Sequence, residues 1–469
     1  MMLPDGWALI GFQEAAITIP TTGAKVKKRD YLPSGELPVI DQGQEFVGGY
    51  TDDTEKRITC VRPIVIFGDH TKVLKYVDFD FVPGADGVKV IKPGAVFYPK
   101  LFFYFLQALD LPDRGYSRHF QFLRKEHLPL PPTPEQHRIV AEIETQFTRL
   151  EAGAAALKRA QANLRRYKAS VLKAACEGRL VPTEAELARA EDREYEPADV
   201  LLERILAERR ARWEELYARG RFKDPVPPDM SALPRLPEGW RWASVTQVGF
   251  TNSGQTPKGM KDTMPGGPYP WFRVGDMNTL GNEKFLSSAE VYLTEEEVEE
   301  LRIRVQPAGT IVFPKRGGAI ATNKKRLLAQ EGAYDLNTMG IFPIGVDDGY
   351  FWHWFQSVDL VPLSDGSNVP QINHGDIDPL PIPVPPLAEQ SRIAAECDRR
   401  LSVVQELEKQ VEAALRRAER LRQAILKHAF EGKLVPQDPN DEPASALLAR
   451  IKAERSAEGK KKAEQLELL

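Results

Sequence analysis

Cysteine and histidine are both scarce in this chain. Three cysteines, Cys60, Cys176 and Cys397, in 469 residues are too few and too scattered for a disulfide framework, so each is expected as a reduced, packed side chain. Seven histidines, none at zinc-ligand spacing, give no metal site. No apolar run reaches the ~18 residues that a membrane helix needs. The opening MMLPDGWALI lacks a basic segment followed by an apolar one, so no signal peptide is read and a cytoplasmic location is expected. Also missing are a G-x-x-x-x-G-K-[ST] phosphate loop, a G-x-G-x-x-G turn after a strand and the Asn-Pro-Pro-aromatic run of adenine methyltransferases, so no catalysis is expected of the chain itself. A surplus of positive charge is absent too. The formal net charge is −4 and the pI about 6.1, which excludes a protein coated with cations for nucleic acid and leaves room only for local basic patches.

What is present is a repeat. Leu128 to Pro182 opens LPLPPTPEQHRIVAEIETQF and closes KAACEGRLVP, while Ile382 to Pro436 opens IPVPPLAEQSRIAAECDRRL and closes KHAFEGKLVP. Glu135 pairs with Glu389 (389 − 135 = 254) and Gly178 with Gly432 (432 − 178 = 254), so nothing is inserted or lost between them. Each copy reads as one long helix. Thr133 suits the cap of the first, Pro134 its first position and Gln136 a capping box, and Gly followed by Pro stops both. In the second copy Leu387 stands at the cap position and cannot accept a backbone hydrogen bond, so its cap has to come from elsewhere. Ile139, Ile143, Phe147, Leu150, Ala154, Leu157, Leu164, Tyr167 and Val171 recur at spacings of three and four. So do Ile393, Cys397, Leu401, Val404, Leu407, Val411, Leu415, Ala418, Leu421 and Ile425. A narrow seam held over several heptads predicts a coiled coil, here of rods roughly 65 Å long.

P-P-x-x-EQ-x-RI at the head of a long helix, its return after an intervening domain, and the EG-[RK]-LVP exit together resemble the specificity subunit of type I restriction-modification enzymes. The resemblance spans nearly the whole chain. It implies a mixed α/β (α+β) protein with a pseudo-two-fold internal repeat, in which two target-recognition domains alternate with two helices that pack as an antiparallel coiled coil. It further implies that the partners are double-stranded DNA, two methyltransferase subunits using S-adenosylmethionine, and two restriction subunits using ATP and Mg. This chain would bind no cofactor itself and touch no membrane. The expected divisions are 1–127 and 236–381 for the recognition domains, 128–182 and 382–436 for the helices, 183–235 for a connector with a short helix, and 437–469 for a short helix and tail.

LPDGW at Leu3 to Trp7 returns as LPEGW at Leu236 to Trp240, and EPADVLLERILAER from Glu196 returns as EPASALLARIKAER from Glu442 (442 − 196 = 246). The duplication therefore includes the domains and part of the connector. The final SAEGKKKAEQLELL has no packing pattern and is expected to be mobile. In the first domain, short β-rich runs broken by Gly and Pro predict small sheets with irregular loops. Lys25, Lys27, Lys28 and Arg29 form a basic cluster, and Lys56, Arg57 and Lys72 stand near Tyr50 and Tyr76 in sequence. Lys and Arg supply phosphate affinity, whereas Arg, Gln, Asn and His can read base edges. Asp69 and His70 have no further ligand at metal spacing, so GDHT reads as a structural turn, with His70 kept as a nucleic-acid candidate. Tyr116, Arg118 and His119 in GYSRHF make a candidate contact loop.

In the second domain TNSGQTPKG, PYPWFRVGDMN, GTIVFPKRGGAIATNKKR and VPQINHGDI resemble recurring segments of the family. Lys315, Arg316, Lys324, Lys325 and Arg326 give five positive charges without a nearby acid, and Gly317 and Gly318 would let backbone approach a phosphate. Gln255, Asn323, Gln371 and Asn373 carry amides that can pair with adenine. Thr256, Lys258 and Arg273 join them through the resembling segments. The expected function is sequence-specific DNA binding, each domain reading half of a bipartite target and positioning methyltransferase and restriction subunits. A coiled-coil adaptor that presents two folded domains to proteins explains the rods equally well but not the paired basic loops. An enzyme with an unrecognised site is the other rival.

Overall fold

The computed structural model describes residues 3–85, 87–112, 118–216, 222–258, 260 and 266–454. Tyr116 of the predicted contact loop and the stretch 456–469 lie outside them. The chain forms two compact units, Met1–Arg159 with Val411–Leu469, and Ala160–Gln410. Two helices of 44 residues, Thr133–Cys176 and Leu387–Phe430, each pass from one unit into the other, so the rods are shared between the units rather than standing as a body of their own.

In the first unit, Ala8–Gly11 pairs antiparallel with His127–Leu130. An antiparallel sheet follows in the order Ala16–Ile19, Val88–Pro93, Ile64–Gly68, Leu74–Val77, with a three-stranded sheet of Gly49–Thr51, Leu37–Ile40 and Val82–Pro83 beside it in sequence. The helix Pro99–Ala108 buries Leu101, Phe102, Phe105 and Leu106 in one core with Ile139, Ile143 and Phe147 of the first long helix and Ile425, Leu426 and Ala429 of the second. Each fully buried aromatic or leucine there contributes on the order of 2 kcal/mol. The two long-helix segments run in opposite directions: Glu135 is bonded to Gln437, whereas Phe147 and Glu151, further along, both meet Arg422.

The second unit repeats this plan. Arg241–Ser244 pairs antiparallel with Pro381–Val384. A five-stranded sheet runs Gly249–Ser253, Thr338–Pro343, Ile311–Pro314, Arg326–Leu328, Phe285–Leu286, and a three-stranded one runs Val291–Leu293, Tyr269–Phe272, Ala333–Tyr334. The helix Asp348–Ser357 packs Tyr350, Phe351 and Phe355 with Val171 and Leu172 of the first long helix and Ile393, Cys397 and Leu401 of the second. Within this unit too the long-helix segments are antiparallel, since Arg400 neighbours Tyr167 while Arg392 pairs with Glu184 beyond the end of the first helix.

The seam is best buried where an α/β domain covers it. Tyr167, Leu407 and Leu421 remain 45%, 41% and 44% exposed, whereas Ile143, Ile393 and Cys397 are fully buried. A contact of two helices alone leaves a seam residue open on one side.

The repeated motifs act as clamps. Trp7 Nε1 donates to Glu135 Oε2 at 2.9 Å, and Trp240 Nε1 to Glu389 Oε1 at 3.1 Å. Gln136 does not complete a capping box. It is fully buried, accepts from Tyr98 N at 2.6 Å and donates to Val96 O and Pro131 O. Its counterpart Gln390 accepts from Asp347 N and donates to Pro385 O, both at 2.8 Å. The helix-ending glycines have φ +65 at Gly178 and +70 at Gly432, a region costly for any side chain. A Cβ on Gly178 would come within 2.5 Å of Pro237 Cγ, and one on Gly432 would overlap Pro4. Last, Ala198 N donates to Gly239 O and Ala444 N to Gly6 O, both at 2.8 Å, so each EPA segment is tied to an LP[DE]GW turn.

Candidate nucleic-acid interface

One end of the five-stranded sheet gathers polar side chains from distant parts of the sequence. Antiparallel register sets Ser253 opposite Met339 and Pro314 opposite Thr338, so residues leaving one strand meet residues entering the next. Lys315 N donates to Asn337 O and Ile372 N to Lys315 O, each at 2.8 Å, and Arg316 bridges Gln371. The segment carrying Gln371, Asn373 and His374 is thereby bonded to that sheet end.

Lys315 Nζ donates to Ser253 Oγ at 3.1 Å, and burial, with the charge of Arg316 next, lowers its pKa. The Arg316 residue is exposed. Gln371 Nε2 donates to Asn373 Oδ1 at 2.9 Å. Gly317, with φ +74, and Gly318 have nothing within 4 Å of where a Cβ would stand, so backbone here is open to close approach. His374 joins this group although the sequence pattern did not single it out. Its Nδ1 is 3.0 Å from Thr251 Oγ1 and its Nε2 3.2 Å from Ser253 Oγ. The signal lay in VPQINHGDI, but the hydroxyl partners are more than a hundred residues away. Ser253, His374 and Asp378 have the residue types of a hydrolytic triad, yet Asp378 Oδ1 is 3.6 Å from the ring, beyond hydrogen-bond length, and Thr251 donates to that carboxylate at 2.6 Å.

Several predicted contacts are internal instead. Lys325 is 2% exposed and donates to Asn323 Oδ1 at 3.0 Å and Val358 O at 2.6 Å, above the Phe355 ring; burial pushes its pKa down to about 8. Asn323, in the left-handed region at φ +51, accepts from Leu360 N at 3.1 Å and so ties a turn. Arg326 donates to Lys325 O at 2.8 Å and Met277 O at 3.0 Å, and Gln255 Oε1 accepts from Arg304 N at 2.9 Å. A run of cations in sequence need not share a face, because the strand starting at Arg326 sends neighbouring side chains to opposite sides. Lys324 bonds Asn278. Thr256 and Lys258 are exposed, Thr256 Oγ1 accepting from Leu336 N. Arg273 pairs with Glu290 at 3.6 Å.

The matching sheet end of the first unit carries different chemistry. After Gly68 the chain presents Asp69 and His70 where the second unit has Lys315 and Arg316. Asp69 is 3% exposed; its Oδ1 accepts from Phe120 N at 2.8 Å and its Oδ2 faces Lys89 at 3.6 Å. His119, 1% exposed, is held on Asp69 O through its own N at 2.8 Å and its Nδ1 at 3.0 Å. It is a packing residue, contrary to its prediction as a contact. His70 N donates to Gln42 Oε1 at 3.2 Å, and Lys72 turns the chain at φ +58. Arg118 is exposed. Lys27 and Arg29, with Lys25 and Lys56, line a depression of about 370 Å³ that Asp30 and Asp53 share; Lys28 is exposed between them. Here the cations meet acids, Arg29 with Asp30 at 3.5 Å and Lys56 with Asp53 at 2.7 Å.

Among the described residues no helix is long and apolar enough to cross a membrane, and no group of three or more His, Cys, Asp or Glu could hold a metal. The three cysteines are free.

Residues 237–417 match the family described as Type I restriction modification DNA specificity domain. The chain is similar to the EcoDI specificity subunit of Escherichia coli, 25% identical over 71% of this chain and 70% of that one. It is also similar to the EcoR124I/EcoR124II specificity subunit of Escherichia coli, 23% identical over 80% and 81%. Among solved structures, a chain from a type I R-M system studied for complex assembly and conformational transition has the same fold, with a TM-score of 0.58 at 18% identity, covering 92% of this chain and 100% of that one.

Proposed function

This chain belongs to the specificity subunits of type I restriction-modification enzymes, and on that premise we propose that it is the non-catalytic, DNA-selecting subunit of such a complex. Each recognition domain reads one half of a bipartite target in double-stranded DNA. The chain positions two methyltransferase subunits, which use S-adenosylmethionine, and two restriction subunits, which use ATP and Mg, and it works in the cytoplasm with the DNA. It holds no cofactor of its own.

The observation that carries this reading is the sheet end of the second unit, where Lys315, Arg316, Gln371 and Asn373 are bonded into one polar surface. Cations there neutralise phosphates and fix register, while amides can pair with base edges. In the first unit Lys27, Lys28, Arg29 and Arg118 are the exposed counterparts. The test is a domain exchange. Replacing 236–381 with the equivalent domain of a relative, then mapping methylated adenines in cells that carry the methyltransferase partner, is expected to change one half-site and leave the other intact. A change in both half-sites would show that the domains read DNA jointly.

A further inference from the structure

Both ring nitrogens of His374 meet hydroxyls of one strand. Thr251 has a single hydroxyl proton, and it goes to Asp378 Oδ1 at 2.6 Å. At His374 Nδ1, 3.0 Å away, Thr251 can therefore only accept, which puts a proton on Nδ1. Nε2, on the other side of the ring, is 3.2 Å from Ser253 Oγ and bonds that hydroxyl. Ser253 Oγ in turn accepts from the Lys315 ammonium at 3.1 Å. A hydrogen-bonded relay results, from Lys315 through Ser253, His374 and Thr251 to Asp378, with a cation at one end and a carboxylate at the other. Each link polarises the next.

We propose that His374 is a positioning residue for base reading by the second domain, the middle link of a relay that holds the segment bearing Gln371 and Asn373 against the sheet end. This rests on the DNA-reading function proposed above. Both ring nitrogens are engaged within the protein, so the imidazole acts through its neighbours. Thr251 and Ser253 lie on one strand, Lys315 follows another, and His374 with Asp378 belongs to the short helix His374–Ile377 and the residue after it. The relay thus joins three elements where one side chain spans between two hydroxyls two residues apart. Gln371 and Asn373, bonded to each other at 2.9 Å, lie just before His374 in the segment that Ile372 N also ties to Lys315 O.

The test uses the full chain assembled with its methyltransferase partner and a target library randomised in both half-sites. His374→Ala is expected to weaken base discrimination on the order of ten-fold at one or two positions of one half-site, leaving the other half-site unchanged. His374→Gln, whose amide can still bond the Ser253 hydroxyl, should recover part of it. A uniform loss of methylation over every base of that half-site, or an unchanged profile, would overturn the proposal, since a merely structural role lowers stability or affinity without altering preference. Absence of any sequence preference in the unaltered complex would instead overturn the underlying DNA-reading function.

Discussion

The two units agree in their clamps and disagree in their sheet ends. Trp7 on Glu135 matches Trp240 on Glu389, Gln136 matches Gln390, and Gly432 against Pro4 matches Gly178 against Pro237. At the sheet ends, Asp69 is locked inward by Phe120 N and His119, whereas Lys315 and Arg316 leave a strand toward open polar surface. The lesson is one of constraint. A buried carboxylate facing an indole N–H cannot drift without stranding a polar group, which costs about 1–3 kcal/mol, while an exposed loop residue can change at little cost.

The largest expected effects come from breaking the clamps. Gly178→Val and Gly432→Val each force a β-branched residue into the left-handed region and into a proline ring, and each should destabilise its own unit by about 3 kcal/mol or more. Amide exchange resolved by unit is the measurement. Equal damage on the two sides would sharpen the equivalence of the clamps, and a tolerated substitution in either would break it.

Next come the cations that look alike in sequence and stand apart in space. Lys325→Ala removes a buried ammonium from two acceptors and an aromatic face and should cost about 2–3 kcal/mol of unit stability, with the salt dependence of DNA affinity unchanged. Arg316→Ala, at the exposed neighbour of Lys315, should do the reverse: stability within about 0.5 kcal/mol and a slope of log affinity against log salt shallower by about 1, for the phosphate no longer neutralised. Titrations at several salt concentrations beside thermal melts separate the two. If Lys325→Ala flattened the slope, its buried position would not be the one that meets DNA.

Much of the frame was legible in sequence because helices and repeats are local signals. The 254-residue offset, the EQ pairs and the Gly stops all mark what the fold uses. The use itself was less legible. Gln136 read as a capping box because spacing is visible and its true partners, Tyr98, Val96 and Pro131, are tertiary. Seam positions such as Tyr167 and Leu407 were periodic yet stayed open, since periodicity reports a face and not what covers it. The site suffered more. Lys325, Asn323 and His119 have the right chemistry for DNA and are consumed by internal bonds, and His374 gained its meaning only when a strand placed Thr251 and Ser253 beside it.

The smallest effect expected separates the two clamps from each other by pH. Burial raises the pKa of both Glu135 and Glu389, the latter to about 6, against the bonds from Trp7 and Gln437 in one and from Glu184 N and Trp240 in the other. Because the folded pKa of Glu389 lies above its ordinary value, the fold favours the protonated form. Stability is full below about pH 4.5 and falls as pH rises through about 6, by about 2 kcal/mol in all. Glu389→Gln removes that charge, but its amide must turn an N–H toward either Trp240 Nε1 or Glu184 N, leaving one donor unpaired at about 1–3 kcal/mol. The variant should therefore be clearly less stable than the wild type near pH 4.5 and close to it at pH 7. Protection of the 237–250 backbone against amide exchange, corrected for intrinsic rate at each pH, reads this directly. A stability difference that stayed constant across that range would mean that Glu389 titrates alike in the folded and unfolded chain and that burial does not set its charge. The same series on Glu135→Gln then shows whether the clamp of the first unit shares the window.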